Sequence, residues 1–253
     1  MILSYKYKFF FLRSRKVAGS SILYALGKHC GDKDIVNSPD TAIARSNRIY
    51  GTNYESIKKN FHIIDPEFAR GEPVNPRIHI TPSELAVAFP NEWKTYFKIG
   101  AVRNPYDMVY SMWAFEQVIH PDRPFRNFNE WVLRKRGRML KEETAIEFWF
   151  DHFTGLPIQY DFMIKYENLE EDYKKVCEAF KITYEPLIKL NTSTRLDREG
   201  LTKYEDLYDV DKDVVVNAGG SPVSSYRKHY DNKSKEIVDN LYGKVIEKYN
   251  YEF

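Results

Sequence analysis

Short apolar runs alternate with longer amphipathic stretches along this chain, and that alternation limits the fold more than any other feature. Lys8 to Leu12, Phe61 to Ile64, Tyr96 to Val102 and Asp161 to Tyr166 have the length and composition of buried strands. Ser20 to Lys28, Pro82 to Phe89, Pro105 to Val118 and Leu169 to Phe180 carry apolar residues at helical spacing. Such an order buries its apolar faces in an α/β arrangement, a central parallel sheet with helices on both sides. Two further helices are expected between Asn127 and Phe153, joined near Lys141. A last helix is expected over Lys233 to Tyr249, where Ile237, Leu241, Val245 and Ile246 share a face. Asn191 to Ser225 is the least regular stretch and a candidate cover for a site. With 253 residues, one α/β domain with helical insertions over 1–253 is the simplest organisation.

Composition narrows the function classes. Lys plus Arg is 38 against 36 acidic residues, a net charge of +2, which argues against a nucleic-acid coat and leaves room for a local basic pocket. Cys30 and Cys177 stand far apart with no CxxC spacing, so neither a zinc site nor a disulfide framework is expected, and a reducing, cytoplasmic setting fits best. No apolar run approaches the ~20 residues that cross a bilayer. The N-terminal MILSYKYKFFFLRSRK, with Lys6 and Lys8 inside its apolar stretch, reads as a first strand and not as a signal peptide.

Two segments carry chemistry. In the first, a strand runs into Arg13-Ser14-Arg15-Lys16-Val17-Ala18-Gly19-Ser20-Ser21 and then a helix. A strand, a turn with small residues and a helix N-terminus present outward N–H groups and a partial positive charge to an anion. Arg15 and Lys16 add full charges, Ala18 and Gly19 allow close approach, and Ser20 and Ser21 can donate hydroxyls. The lysine precedes the glycine, so the loop lacks the Walker A order. A basic strand end with a serine N-cap accounts for the same residues. In the second, the strand Phe97 to Val102 ends in Arg103-Asn104-Pro105-Tyr106-Asp107, with Ser111 two turns into the following helix. Arg103 then stands at a strand's carboxyl end, where open α/β sheets bind ligands, and an arginine fork with a nearby hydroxyl suits one phosphate. The competing reading is an arginine paired with Asp107 at the helix start.

A phosphate loop after an early strand followed by an Arg-x7-Ser element resembles the sulfotransferases that use 3′-phosphoadenosine 5′-phosphosulfate (PAPS). The two elements are similar to that family's 5′-phosphosulfate loop and 3′-phosphate element. Phe162-Met163-Ile164-Lys165-Tyr166-Glu167-Asn168-Leu169 resembles a strand of the carbohydrate branch, with Lys165 where arginine is commoner. Ser224-Ser225-Tyr226-Arg227-Lys228-His229-Tyr230 resembles the late loop over the nucleotide, and Tyr249-Asn250-Tyr251-Glu252-Phe253 the branch's terminal tyrosine-x-phenylalanine. The likeness runs from about Phe9 to the C-terminus, with nothing placed in Asp32 to Pro73 or Leu187 to Val216.

The resemblance implies a P-loop-like three-layer α/β/α fold, PAPS as donor without a metal, and a hydroxyl of a sugar or small metabolite as acceptor. Sulfuryl transfer passes through a loose, in-line transition state in which charge builds on the leaving phosphate oxygen. Lys16 is the candidate for stabilising it. The Arg15 to Ser21 loop would hold the 5′ side, Arg103 and Ser111 the 3′-phosphate, and Tyr226, Arg227 and Lys228 would close over the nucleotide. His79, in Arg77-Ile78-His79-Ile80-Thr81-Pro82, is the leading base, with Glu84, Glu116 and His120 as rivals. Arg134-Lys135-Arg136-Gly137-Arg138 reads as a solvated helix face before it reads as a steering patch. Trp113, Trp131 and Trp149 read as core before they read as sugar platforms. An ATP-dependent kinase and a nucleotide-binding scaffold without turnover are the alternatives.

Overall fold

A β-hairpin opens the fold in the computed structural model, which describes residues 1–36, 80–119, 127–141, 146–151, 154–187 and 226–253. The N-terminal stretch is therefore two strands, β1 (Ile2–Ser4) and β2 (Phe9–Phe11), paired antiparallel with Ser4 opposite Phe9. The turn between them has no glycine, proline or asparagine, and Lys8 takes a left-handed φ of 57°. It is held from outside: the buried Asp34 carboxylate accepts the Tyr5 and Lys6 N–H groups and the Ser4 hydroxyl, while Ser4 Oγ accepts the Tyr7 N–H. Four donors, counting Gly31 N–H, surround that carboxylate, which lets a charged group be 1% exposed.

After α1 (Gly19–Gly27) come β3 (Ile35–Val36), α2 (Pro82–Ala88), α3 (Pro90–Thr95) and β4 (Phe97–Val102). Then follow α4 (Pro105–Ile119), α5 (Phe128–Lys141), β5 (Phe162–Lys165), α6 (Leu169–Phe180) and α7 (Asn232–Tyr249). The five strands form one sheet in the order β3-β1-β2-β4-β5. β2, β4 and β5 are parallel neighbours, and β1 runs against both β2 and β3. The sheet is thus mostly and not wholly parallel, because the tight hairpin forces β1 to reverse.

Strand alternation sends side chains to different cores. Phe9, Phe11, Ile99 and Ile164 pack with Ile22, Leu23 and Leu26 of α1 and with Leu169, Tyr173, Val176 and Cys177 of α6. Phe10 and Leu12 join Leu3, Leu85 of α2 and Phe89 in a second cluster. Val102 belongs to a third cluster with α4, α5 and α7, where Trp131 and Trp149 are buried core residues. Of the second helix expected between Asn127 and Phe153, the described residues show a 3₁₀ turn at Ile146–Phe148, after which Phe150 bridges to Pro157. α3 was not expected; Pro90 at its first turn starts a new helix directly after α2. The expected strand Phe61 to Ile64 and the whole of the loop Asn191 to Ser225 lie outside the described residues. Among the described residues no helix is long and apolar enough to cross a membrane.

Candidate functional site

The two chemistry-bearing segments leave the sheet side by side. β2 and β4 are adjacent parallel strands, and Leu12 N–H still donates to Ile99 O at 2.9 Å, so the ladder runs up to the residue before Arg13. The loop that follows is pinned by Val17, whose side chain is fully buried in the first core. Lys16 and Ala18, on either side of it, both take left-handed φ values, 59° and 60°. Such angles cost a non-glycine residue roughly 1–2 kcal/mol, and they are strain of the kind that collects at functional turns. Ala18 is the N-cap of α1 and offers no side-chain cap. Beneath the helix start lies Arg13, 4% exposed, with Nη1 donating to Ser20 Oγ at 2.9 Å. Gly19 is required there, since a Cβ would stand 2.6 Å from Arg13 Cβ. Ser14 is 4% exposed, and its hydroxyl has no hydrogen-bond partner among the described residues.

Arg103 meets this loop. Its Nη1 donates to Lys16 O at 2.9 Å, joining segments 87 residues apart. Nε and Nη2 donate to Asp107 Oδ2 at 2.8 and 2.7 Å, and the guanidinium carbon lies 3.9 Å from the centre of the Tyr166 ring. Each terminal nitrogen retains a second N–H, so the fork keeps donors for an anion. The Asp107 pair is also what a purely structural arginine would make, and the fork accommodates both.

Lys16 folds back over α4, with Nζ 4.1 Å from the centre of the Phe115 ring. Burial, helped by the positive charge of Arg103, pushes its amine down to about 7 from an ordinary 10.5. Ser111 is half-buried one turn before Phe115, so the helix brings it round to the side that Phe115 shares with Lys16.

The late element is connected through Asn104. Asn104 Oδ1 accepts Tyr106 N–H, capping α4, and Nδ2 donates to Glu252 O at 2.9 Å and, more weakly, to the Tyr226 hydroxyl at 3.4 Å. Tyr226 is 2% exposed in the third core beside Tyr230 and Phe253, while Arg227 and Lys228 are exposed on a single 3₁₀ turn. Glu167, after β5, accepts Asn104 N–H at 2.6 Å and the Tyr251 hydroxyl at 3.0 Å. Arg15 and Ala18 are half-buried in the loop, and Ser21 is buried in the first turn of α1.

His79 and His120 lie outside the described residues. Ile80, next to His79, is buried in the same core cluster as Leu12, the residue that leads into the loop. Glu84 is occupied in the capping box of α2, accepting Thr81 N–H at 2.8 Å. Glu116 accepts from Trp131 Nε1 and Lys135 Nζ, which tie α4 to α5. Among the described residues no cluster of three histidine, cysteine or acidic side chains could hold a metal ion.

Sequence reasoning overlooked Asn104 and Phe115 as parts of this site. An asparagine directly before a proline at a helix start is a legible capping signal. Phe115 gave none, because its partner is 99 positions away. No protein-family model matches the chain, and neither the curated proteins nor the solved structures supply a significant match.

Proposed function

We propose that the chain is a PAPS-dependent sulfotransferase of the P-loop-like three-layer α/β/α kind, transferring a sulfuryl group to a hydroxyl of a carbohydrate or small metabolite. The observation that carries this reading is the Arg103–Lys16 contact, which joins the two candidate segments at the carboxyl ends of neighbouring parallel strands. The residues present fit such a donor: a lysine in a strained loop, a helix start without a side-chain cap, a buried serine hydroxyl without a partner among the described residues, and an arginine fork. The donor would supply an activated sulfuryl group. Lys16 and the first N–H groups of α1 would hold its 5′ side, where positive charge favours a leaving phosphate oxygen. Arg103 and Ser111 would read the 3′-phosphate, and His79 would take the acceptor proton.

The partly desolvated Lys16 amine fits this role in a further way. An anion arriving beside it favours the ammonium, so the site gains its full charge when the charge is needed. A structural role for Arg103 is the second reading, and its ion pair with Asp107 favours it. Thermal shift separates the possibilities. Adenosine 3′,5′-bisphosphate at about a hundred times its dissociation constant should stabilise the fold by ~2.7 kcal/mol without added metal. Stabilisation only by ATP with Mg²⁺ would replace the proposal with a kinase. A screen of hydroxyl acceptors with labelled PAPS then tests turnover, and EDTA should leave it unchanged.

A further inference from the structure

Arg103 has its guanidinium edges engaged by Asp107 and by the Lys16 carbonyl, and its guanidinium carbon lies over the Tyr166 ring. We infer that Tyr166 is a positioning residue that sets the plane of the Arg103 fork and so the selectivity of the site for a 3′-phosphorylated nucleotide. The inference rests on the donor proposed above.

The geometry makes the ring more than a neighbour. Hydrogen bonds along two edges leave an arginine free to tilt about them, and a planar contact on the face removes that freedom. At 3.9 Å the guanidinium carbon is at stacking distance from the ring centre, and at 5% exposure Arg103 is largely withdrawn from water, where such a contact is strongest. The ring's own position is fixed from both sides along the chain. Ile164, two residues earlier, is fully buried in the first core, and Lys165 N–H donates to Asp172 Oδ2 at 3.0 Å. Glu167, one residue later, accepts the Asn104 N–H, so the ends of β4 and β5 are locked together at the site. The Tyr166 hydroxyl makes no hydrogen bond among the described residues, so the ring face and not the phenol performs the role.

Tyr166 acts on the 5′ side only at one remove. Arg103 donates to Lys16 O, while the Lys16 side chain rests on Phe115 and the loop is pinned by Val17. Loss of the ring should therefore be felt more by the 3′-phosphate than by the 5′ side.

The test compares binding of adenosine 3′,5′-bisphosphate and adenosine 5′-phosphate by titration calorimetry on the full chain, wild type against Tyr166→Phe, Tyr166→Leu and Tyr166→Met. Wild type should prefer the bisphosphate by about ten-fold or more, as charge-assisted bonds to one extra phosphate imply. Tyr166→Phe should keep that preference. Tyr166→Leu and Tyr166→Met should lower it by roughly three- to ten-fold, with a smaller change in 5′-phosphate affinity. The same replacements made on Arg103→Lys, which lacks the planar fork, should have no further effect on the ratio. Equal loss of both affinities in folded Leu and Met variants would mean a merely structural ring and overturn the inference, as would a preserved preference in either. If Tyr166→Leu does not fold, the Met variant and the Arg103→Lys pair decide the matter. A wild type that binds neither nucleotide, or binds both equally, would overturn the donor reading and this inference with it.

Discussion

Replacing Lys16 by methionine should stabilise the protein while abolishing the proposed anion binding. The loop holds an amine whose pKa falls from 10.5 to about 7, so the folded state resists the ammonium. That fall, at 1.36 kcal/mol for each tenfold change in acidity, is a penalty of about 5 kcal/mol on the charged form. The Phe115 ring, 4.1 Å from Nζ, returns about 1–2 kcal/mol through its attraction for a cation, which leaves about 3–4 kcal/mol. The penalty is whole below the folded-state pKa, where the amine is charged both folded and unfolded. It shrinks as pH rises toward 10.5, because the unfolded chain then holds a proton that the folded chain has released, and wild-type stability climbs with pH. Methionine fills nearly the same volume, keeps an apolar contact with Phe115 and has no proton to lose. Urea unfolding of both proteins at pH 7, 8.5 and 10 should show Lys16→Met ahead by about 3–4 kcal/mol at pH 7 and by less than about 1 kcal/mol at pH 10. A variant less stable than wild type at pH 7, or a difference that does not change with pH, would refute the reasoning.

Further tests address separate parts of the site. Gly19→Ala should cost about 1–3 kcal/mol in denaturant melts, since its Cβ would collide with Arg13 and displace the Arg13–Ser20 bond. Arg103→Ala should weaken adenosine 3′,5′-bisphosphate by about ten-fold or more and adenosine 5′-phosphate far less; equal losses in calorimetry would remove the 3′-phosphate assignment. His79→Ala should slow transfer ~10²–10⁴-fold with donor affinity intact, and the acid limb of the pH–rate profile should vanish; normal turnover would move the base elsewhere. Cys30, whose thiol is pushed up to about 12 by burial and then by Asp34, should alkylate with iodoacetamide at pH 8 at least about a hundred-fold more slowly than a free cysteine.

Long helices and the order of the two motifs were legible in the sequence because each rests on local signals. Leu169–Phe180 was read to the residue, since its buried positions Leu169, Tyr173, Val176 and Cys177 follow helical spacing and acidic side chains fill its first turn. The opening hairpin was not legible. Its turn, Tyr5-Lys6-Tyr7-Lys8, carries none of the residues that usually announce one, and the group that holds it is Asp34. The same division runs through the site. Lys16 and Arg103 stood out by residue type at strand ends, whereas Phe115 and Tyr166 act through ring faces that only the packed helices and strands supply. Tyr226 resembled a nucleotide contact by sequence and is placed by its aromatic neighbours inside the third core.

The Asn104 side chain holds together parts of the chain that come together late. Its amide reaches Glu252 O across 148 positions, and one residue earlier Arg103 reaches Lys16 O across 87. Contacts of such sequence separation carry the largest loop-closure entropy and form after local helices have gained their own stability. A chain with all its helices but without these two bonds would have native-like far-ultraviolet circular dichroism while the proposed anion site stayed unassembled. During refolding, recovery of nucleotide binding should therefore lag recovery of helical signal, so that the ligand reports completion of the fold and not its beginning.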